Sequence, residues 1–117
     1  MEVVMSKLSQ QQCEACDAVA TKVSEQQAQQ LLLQLGEWAL IERDAVLQLV
    51  RTFKFKNFSD ALAFTNRVGA LAEQQGHHPD LVTRWGGVEV YWWSHKLRGL
   101  HGNDFICAAK TDALYLE

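Results

Sequence analysis

The sequence predicts an α+β fold: a four-stranded antiparallel sheet with helices packed on one face, in the order α-β-β-α-β-β-α. Two observations carry this. Apolar residues recur at helical spacing in separate stretches near residues 24–36 and 59–76. Between and after them run pairs of segments that alternate with period two, each pair joined by a short turn signal. A final helix closes the chain, which is the layout of a sheet covered on one side.

Each element has a local cause. Residues 1–22 are polar, Gln-rich and without clear periodicity, and read as a loose N-terminal arm. Ser24 and Gln27 form a capping-box signal, because each side chain can satisfy an orphan amide of the first turn. Ala28, Leu31, Leu32 and Leu35 then give an apolar stripe, with Gly36 placed as the stop. From Trp38 the period becomes two. Trp38 and Leu40, a polar Glu42-Arg43-Asp44 turn, then Leu47, Leu49, Arg51, Phe53 and Phe55 predict a hairpin with one face buried. Ser59 is the predicted cap of a second helix with the stripe Ala61, Phe64, Val68, Leu71 and Ala72, ended by Gly76. Leu81 to Trp85 and Val88 to His95 flank Gly86-Gly87 as a second hairpin. The third helix is expected over residues 103–116.

Composition narrows the function classes. The 117 residues fit one domain, 1–117, and 48% are hydrophobic against 21% charged, as in ordinary globular proteins. At this length only about two-thirds of the unfolded surface can be buried, so self-association is a natural way to hide the rest. A net charge of −3 and a pI near 5.8 argue against nucleic acid, since no basic surplus exists to neutralise phosphates. No apolar run approaches the roughly 20 residues of a membrane span. The opening MEVVMSKLSQ lacks the layout of a signal peptide, so cytoplasmic residence is expected. Cys13, Cys16 and Cys107 are then expected to remain thiols.

The chemistry concentrates in histidine. His77 and His78 follow the second helix directly, and His95 is expected to end the last strand; such element ends present side chains to ligands. Pro79 pushes His78 into an extended conformation, so the two neighbours should point to opposite sides and play different parts. The same geometry weakens a metal reading. Surface or capping roles for these histidines remain the plain alternative.

The stretch Glu73-Gln-Gln-Gly-His77-His78-Pro79, then Trp85, Ser94-His95, Gly99-Leu100 and Asp104, resembles the signature of the pterin-4a-carbinolamine dehydratases. The likeness continues upstream through Phe53-Lys-Phe-Lys-Asn-Phe58 and the Ala61-Leu-Ala-Phe64 helix to Trp38, covering roughly residues 37–110. With Trp92-Trp93-Ser94-His95 and Asn103-Asp104-Phe105, it is most similar to the bacterial branch that accompanies phenylalanine hydroxylase. Gly76 departs from members carrying an acid before the histidine pair, and Ser94 stands where many have Thr.

That resemblance implies a hydro-lyase converting a 4a-hydroxytetrahydropterin to quinonoid dihydropterin plus water, in tetrahydrobiopterin recycling for aromatic amino-acid hydroxylation. It implies no metal and no cofactor, because the step is timed proton transfer and imidazole titrates near neutrality. The catalytic set is His77, His78 and His95. His77 and His95 are assigned acid–base work, His78 orientation of the pterin, Pro79 the wall, and Ser94 the pterin edge. Glu73, one turn before His77, is expected to fix an imidazole tautomer by hydrogen bonding, and Asp104 either to do so for His95 or to cap the third helix. The family also implies a homodimer or homotetramer and a functional link to phenylalanine hydroxylase. A regulatory role is the competing reading, as a dimerisation cofactor binding a transcription factor or the hydroxylase. A third is a dehydratase-like protein of changed substrate.

Other residues invite function less strongly. Cys13-Glu-Ala-Cys16 has C-x-x-C spacing but lacks a second pair for zinc and a βαβ setting for redox work. By alternation Trp92 belongs to the core, whereas Trp93 shares the face of His95 as a wall or a subunit contact. His101 is expected to be solvated or capping. Arg51, Lys54 and Lys56 are expected on a solvated strand edge.

Overall fold

The computed structural model describes residues 8–11 and 22–116. Its elements are α1 (Glu25–Leu32), β1 (Ala39–Arg43), β2 (Val46–Lys54), α2 (Phe58–Gln75), β3 (Asp80–Arg84), β4 (Gly87–Trp92) and α3 (Gly102–Tyr115). The strands form one antiparallel sheet in the order β1-β2-β4-β3. This is the predicted α+β fold.

Register fixes which face is buried. Leu49, Arg51 and Phe53 of β2 pair with Trp92, Val90 and Val88 of β4, so all six side chains share one face. The apolar five of them are fully buried. Against that face α2 sets Ala61, Phe64, Val68 and Ala72, and α3 sets Phe105, Cys107 and Ala108. Phe53 sits at the centre, its ring 4.8 Å from Phe64, 5.0 Å from Tyr115 and 5.9 Å from Trp38.

Several boundaries differ from the sequence reading. α1 stops at Leu32 rather than Gly36, because the amides of Leu33, Gln34 and Leu35 bond back three residues instead of four. That tightening carries Leu35 into the core. α2 is capped by Asn57, whose side chain accepts from the Asp60 amide at 2.7 Å, and not by Ser59. The first hairpin turns at Asp44-Ala45, with φ of 52° and 63°, so Glu42 and Arg43 belong to β1. Two consecutive left-handed residues match the twist of a tight hairpin. The second hairpin turns at Trp85-Gly86, one residue earlier than expected, and Gly87 already pairs in β4. A Cβ on Gly87 would lie 3.2 Å from the Phe53 carbonyl oxygen, so glycine there serves the close approach of β2.

β2 is a central strand, which overturns the edge placement of the basic group. Arg51 lies under the helices, where Nη1 donates to Asp112 Oδ1 at 2.7 Å and the guanidinium covers Phe53. Burial holds the Asp112 carboxyl above the usual range, against the bonds from Trp38 and Arg51. Within the stretch expected to be a loose arm, Leu8–Gln10 form a short 3-10 turn on α3, with Leu8 buried and Lys110 donating to the Ser9 carbonyl at 2.9 Å. Cys13 and Cys16 lie outside the described residues. Among the described residues, no helix is long and apolar enough to cross a membrane.

Candidate active site

The end of α2 aims two histidines in different directions. Gly76 takes φ 65°, the left-handed conformation glycine adopts without a Cβ penalty. The His77 amide then bonds the Ala72 carbonyl at 3.1 Å and the Gly76 amide that of Glu73 at 3.3 Å, a Schellman closure. His77 is turned inward and is buried, its ring stacked on Trp92 at 5.5 Å and 10°. His78 is turned outward, where Nε2 meets Glu73 Oε2 at 2.6 Å.

Asp104 is the polar anchor beneath them. It is completely buried, and its Oδ1 lies 2.5 Å from His77 Nε2. Its Oδ2 accepts from Ser94 Oγ at 2.9 Å and from the His101 amide at 2.9 Å. A carboxylate only accepts, so His77 carries its proton on Nε2. The bond from His101 closes the capping box of α3, with His101 as the N-cap residue. Asp104 therefore both caps the helix and holds an imidazole.

His95 comes from a loop, not from the strand. β4 ends at Trp92, and the chain closes a small turn in which Ser94 and Gly99 exchange backbone bonds of 2.8 and 3.4 Å. Arg98 is left-handed at φ 50° in that turn, its guanidinium 3.4 Å from the Asp44 carbonyl. The His95 ring stacks on Trp93 at 4.2 Å and 25°, and Nε2 lies 3.2 Å from the His78 carbonyl oxygen. A carbonyl accepts only, so His95 Nε2 donates there and Nδ1 is its proton-accepting nitrogen.

These pieces enclose a cleft of about 340 Å³ lined by Gly76, His77, His78, His95 and Lys96. The volume suits a small bicyclic ligand. Three of the residues expected at the site, His77, His78 and His95, line it together. The others stand behind or beside it. Glu73 holds the imidazole of His78, and Asp104 holds that of His77 rather than His95, because the Schellman turn sends His77 inward and His78 outward. Ser94 is fully buried and spends its hydroxyl on Asp104 instead of facing the cleft. Pro79 is half-buried between His78 and β3. Lys96 is the lining residue that sequence reasoning misses; nothing in a lone lysine after His95 marks it, and only the turn places it at the cleft. Among the described residues no group of three or more His, Cys, Asp or Glu is arranged to hold a metal ion.

A helix-backed antiparallel sheet with three imidazoles around one cleft, one braced by a buried carboxylate, is an arrangement able to take up and release protons near neutrality. The model of the family described as pterin 4 alpha carbinolamine dehydratase matches residues 21–114. The chain belongs to that family. A Saccharophagus degradans protein provisionally named a pterin-4-alpha-carbinolamine dehydratase is 55% identical over 111 residues, covering 95% of this chain and 98% of that one. A Nitrosococcus oceani protein with the same provisional name is 56% identical over 110 residues, covering 94% and 97%. Among solved structures, the transcriptional coactivator/pterin dehydratase from Brucella melitensis superposes with a TM-score of 0.72 at 29% identity, covering 80% of this chain and 98% of that one. A pterin dehydratase-like protein identified as a RuBisCO assembly factor in the alpha-carboxysome shares the fold, with a TM-score of 0.57 at 24% identity over 68% and 89% of the two chains.

Proposed function

We propose that this chain dehydrates a 4a-hydroxytetrahydropterin to the quinonoid dihydropterin, serving tetrahydrobiopterin recycling beside an aromatic amino-acid hydroxylase such as phenylalanine hydroxylase. The observation that carries the reading is the meeting of His77, His78 and His95 around one cleft, with Asp104 buried behind His77.

The chemistry follows from the different surroundings of His77 and His95. The C4a–O bond breaks and the hydroxyl leaves as water after taking a proton. The N5–H proton departs to a base, and its electron pair completes the C4a=N5 bond. His77 is the base, because the imidazolium it becomes is stabilised by the Asp104 carboxylate. His95 bonds a neutral carbonyl rather than a carboxylate; entering the step as the imidazolium, it is the acid toward the hydroxyl, giving up the proton on Nδ1 while Nε2–H stays on the His78 carbonyl. His78, held by Glu73, forms the outer wall against the pterin, with Pro79 fixing its backbone. Positioned groups of this kind each add about 10²–10⁴-fold.

Stopped-flow decay of enzymatically made 4a-hydroxytetrahydropterin is the direct test. The wild-type chain should accelerate it, and His77→Ala or His95→Ala should each lower kcat by about 10²–10⁴-fold with the fold intact. Full activity in both variants would overturn the acid–base assignment. The likeness to the Brucella melitensis protein, described as a coactivator as well as a dehydratase, supports a second reading, in which this chain also assists a transcriptional regulator. That reading gains if the wild-type chain leaves the decay unchanged yet binds a regulator or the hydroxylase stably.

A further inference from the structure

Arg43 is the last residue of an edge strand, yet its guanidinium reaches across the sheet face opposite the helices. Nε donates to Gln48 Oε1 on β2 at 2.9 Å, and Nη2 donates to Asp80 Oδ2 on β3 at 3.0 Å. Between these anchors the guanidinium carbon lies 3.7 Å from the Tyr91 ring centroid and 5.5 Å from that of Trp93. Trp93 is the residue on which His95 stacks. Asp80 stands two residues after His78, and Trp93 two before His95. One cation thus grips both chain segments that bound the cleft.

We propose that Arg43 is a positioning residue for this site: through Trp93 it fixes the plane of His95, and through Asp80 it holds the His78–Pro79 segment within bonding reach of His95 Nε2. His95 is exposed, and among the described residues its ring is restrained by the Trp93 stack and the bond to the His78 carbonyl. An exposed side chain with so little to hold it would otherwise sample several rotamers. Trp93 is only half-buried and needs a support of its own. A planar guanidinium supplies both demands at once, stacking on aromatic faces while pairing a carboxylate. Stability is not its main contribution. The Arg43 and Asp80 side chains are 35% and 48% exposed, so solvent screening leaves that ion pair little weight in folding.

The catalytic consequence rests on the dehydratase reading, whereas the grip on His95 does not. The His95 ring Hε1 signal in the proton NMR spectrum, assigned with His95→Gln, should lie upfield in the wild-type chain because of the stacked indole. Arg43→Gln should move it toward the position of a free imidazole, and Asp80→Asn should move it the same way. In stopped-flow assays Arg43→Gln should lower kcat by about ten- to a hundredfold with KM within about twofold, as expected when a reacting group is displaced slightly. Arg43→Lys, which keeps the charge but not the plane, should recover part of that loss. An unmoved His95 signal in both Arg43→Gln and Asp80→Asn would refute the proposal, as would an effect confined to KM. If the wild-type chain fails to accelerate dehydration, the dehydratase reading falls, and the ring signal still decides whether Arg43 holds His95.

Discussion

Asp104 illustrates how much one buried side chain can do. It accepts from His77, from Ser94 and from the His101 amide, so the histidine, the loop that carries His95 and the start of α3 share one anchor. Asp104→Asn keeps the shape and can still cap the helix. Its amide, however, presents donors where the carboxylate accepted, and His77 then loses the partner that stabilises its imidazolium. The expected outcome is a kcat lowered by roughly 10²–10⁴-fold in the stopped-flow assay. The loss of stability, read from urea unfolding, should be about 1–3 kcal/mol. Glu73 is different: its side chain and that of His78 are 79% and 60% exposed, so Glu73→Gln should alter binding modestly and leave stability nearly unchanged.

Among the elements, α2 matters most to the site, because its C-terminus delivers His77 and His78. Its two ends use different devices. Asn57 satisfies an orphan amide at the start, and Gly76 takes a left-handed conformation at the finish. Asn57→Ala should cost about 1 kcal/mol of unfolding free energy in urea titration, with kcat retained, because the cap lies a whole helix away from the cleft. Gly76→Ala, by contrast, strains the backbone next to His77 and should lower both stability and kcat. The loop after β4 is the complementary element. It returns on itself through the Ser94–Gly99 bridge, and Arg98 ties it to the β1–β2 turn, so His95 is carried on a closed structure.

At the scale of the whole molecule, the two faces of the sheet behave differently. One is apolar apart from Arg51, which pairs with Asp112, and is covered by α2 and α3. The other carries a charged and aromatic network in which the Tyr91 hydroxyl donates to Glu89 at 2.7 Å and Arg84 pairs with Glu89. The bond from Tyr91, opposed by burial and assisted by the arginines, holds the Glu89 carboxyl below its usual range; the same bond holds the Tyr91 phenol above its own. The signs give a window. Glu89's contribution is present above the ordinary carboxylate range and is lost as pH falls through its lowered value. Tyr91's is present below about pH 10 and is lost as pH rises through its raised value. Asp112 runs opposite to Glu89, since its raised value favours the folded state in acid. Urea unfolding across the pH range should therefore show that Tyr91→Phe loses less stability than wild type above about pH 10. An unchanged alkaline slope would contradict the role given to this bond.

Periodicity and punctuation settled the architecture without coordinates. Helical and alternating patterns are local, and Leu49, Phe53, Phe64, Val68, Val88, Val90 and Trp92 occupy the core that their spacing required. The histidine pair beside Pro79 marked the site for the same reason, because conformational restriction by glycine and proline acts on immediate neighbours. What the tertiary structure alone decided were pairings between residues distant in sequence or turned by a single bend. Asp104 met His77 and not His95, Glu73 took His78 as its imidazole, and Ser94 turned inward. Arg43 reached across the sheet to β3, and Lys96 came to the cleft. Each choice depends on strand register and on the angle at which a turn leaves its helix. Such angles follow from packing of the whole chain, which no local pattern encodes.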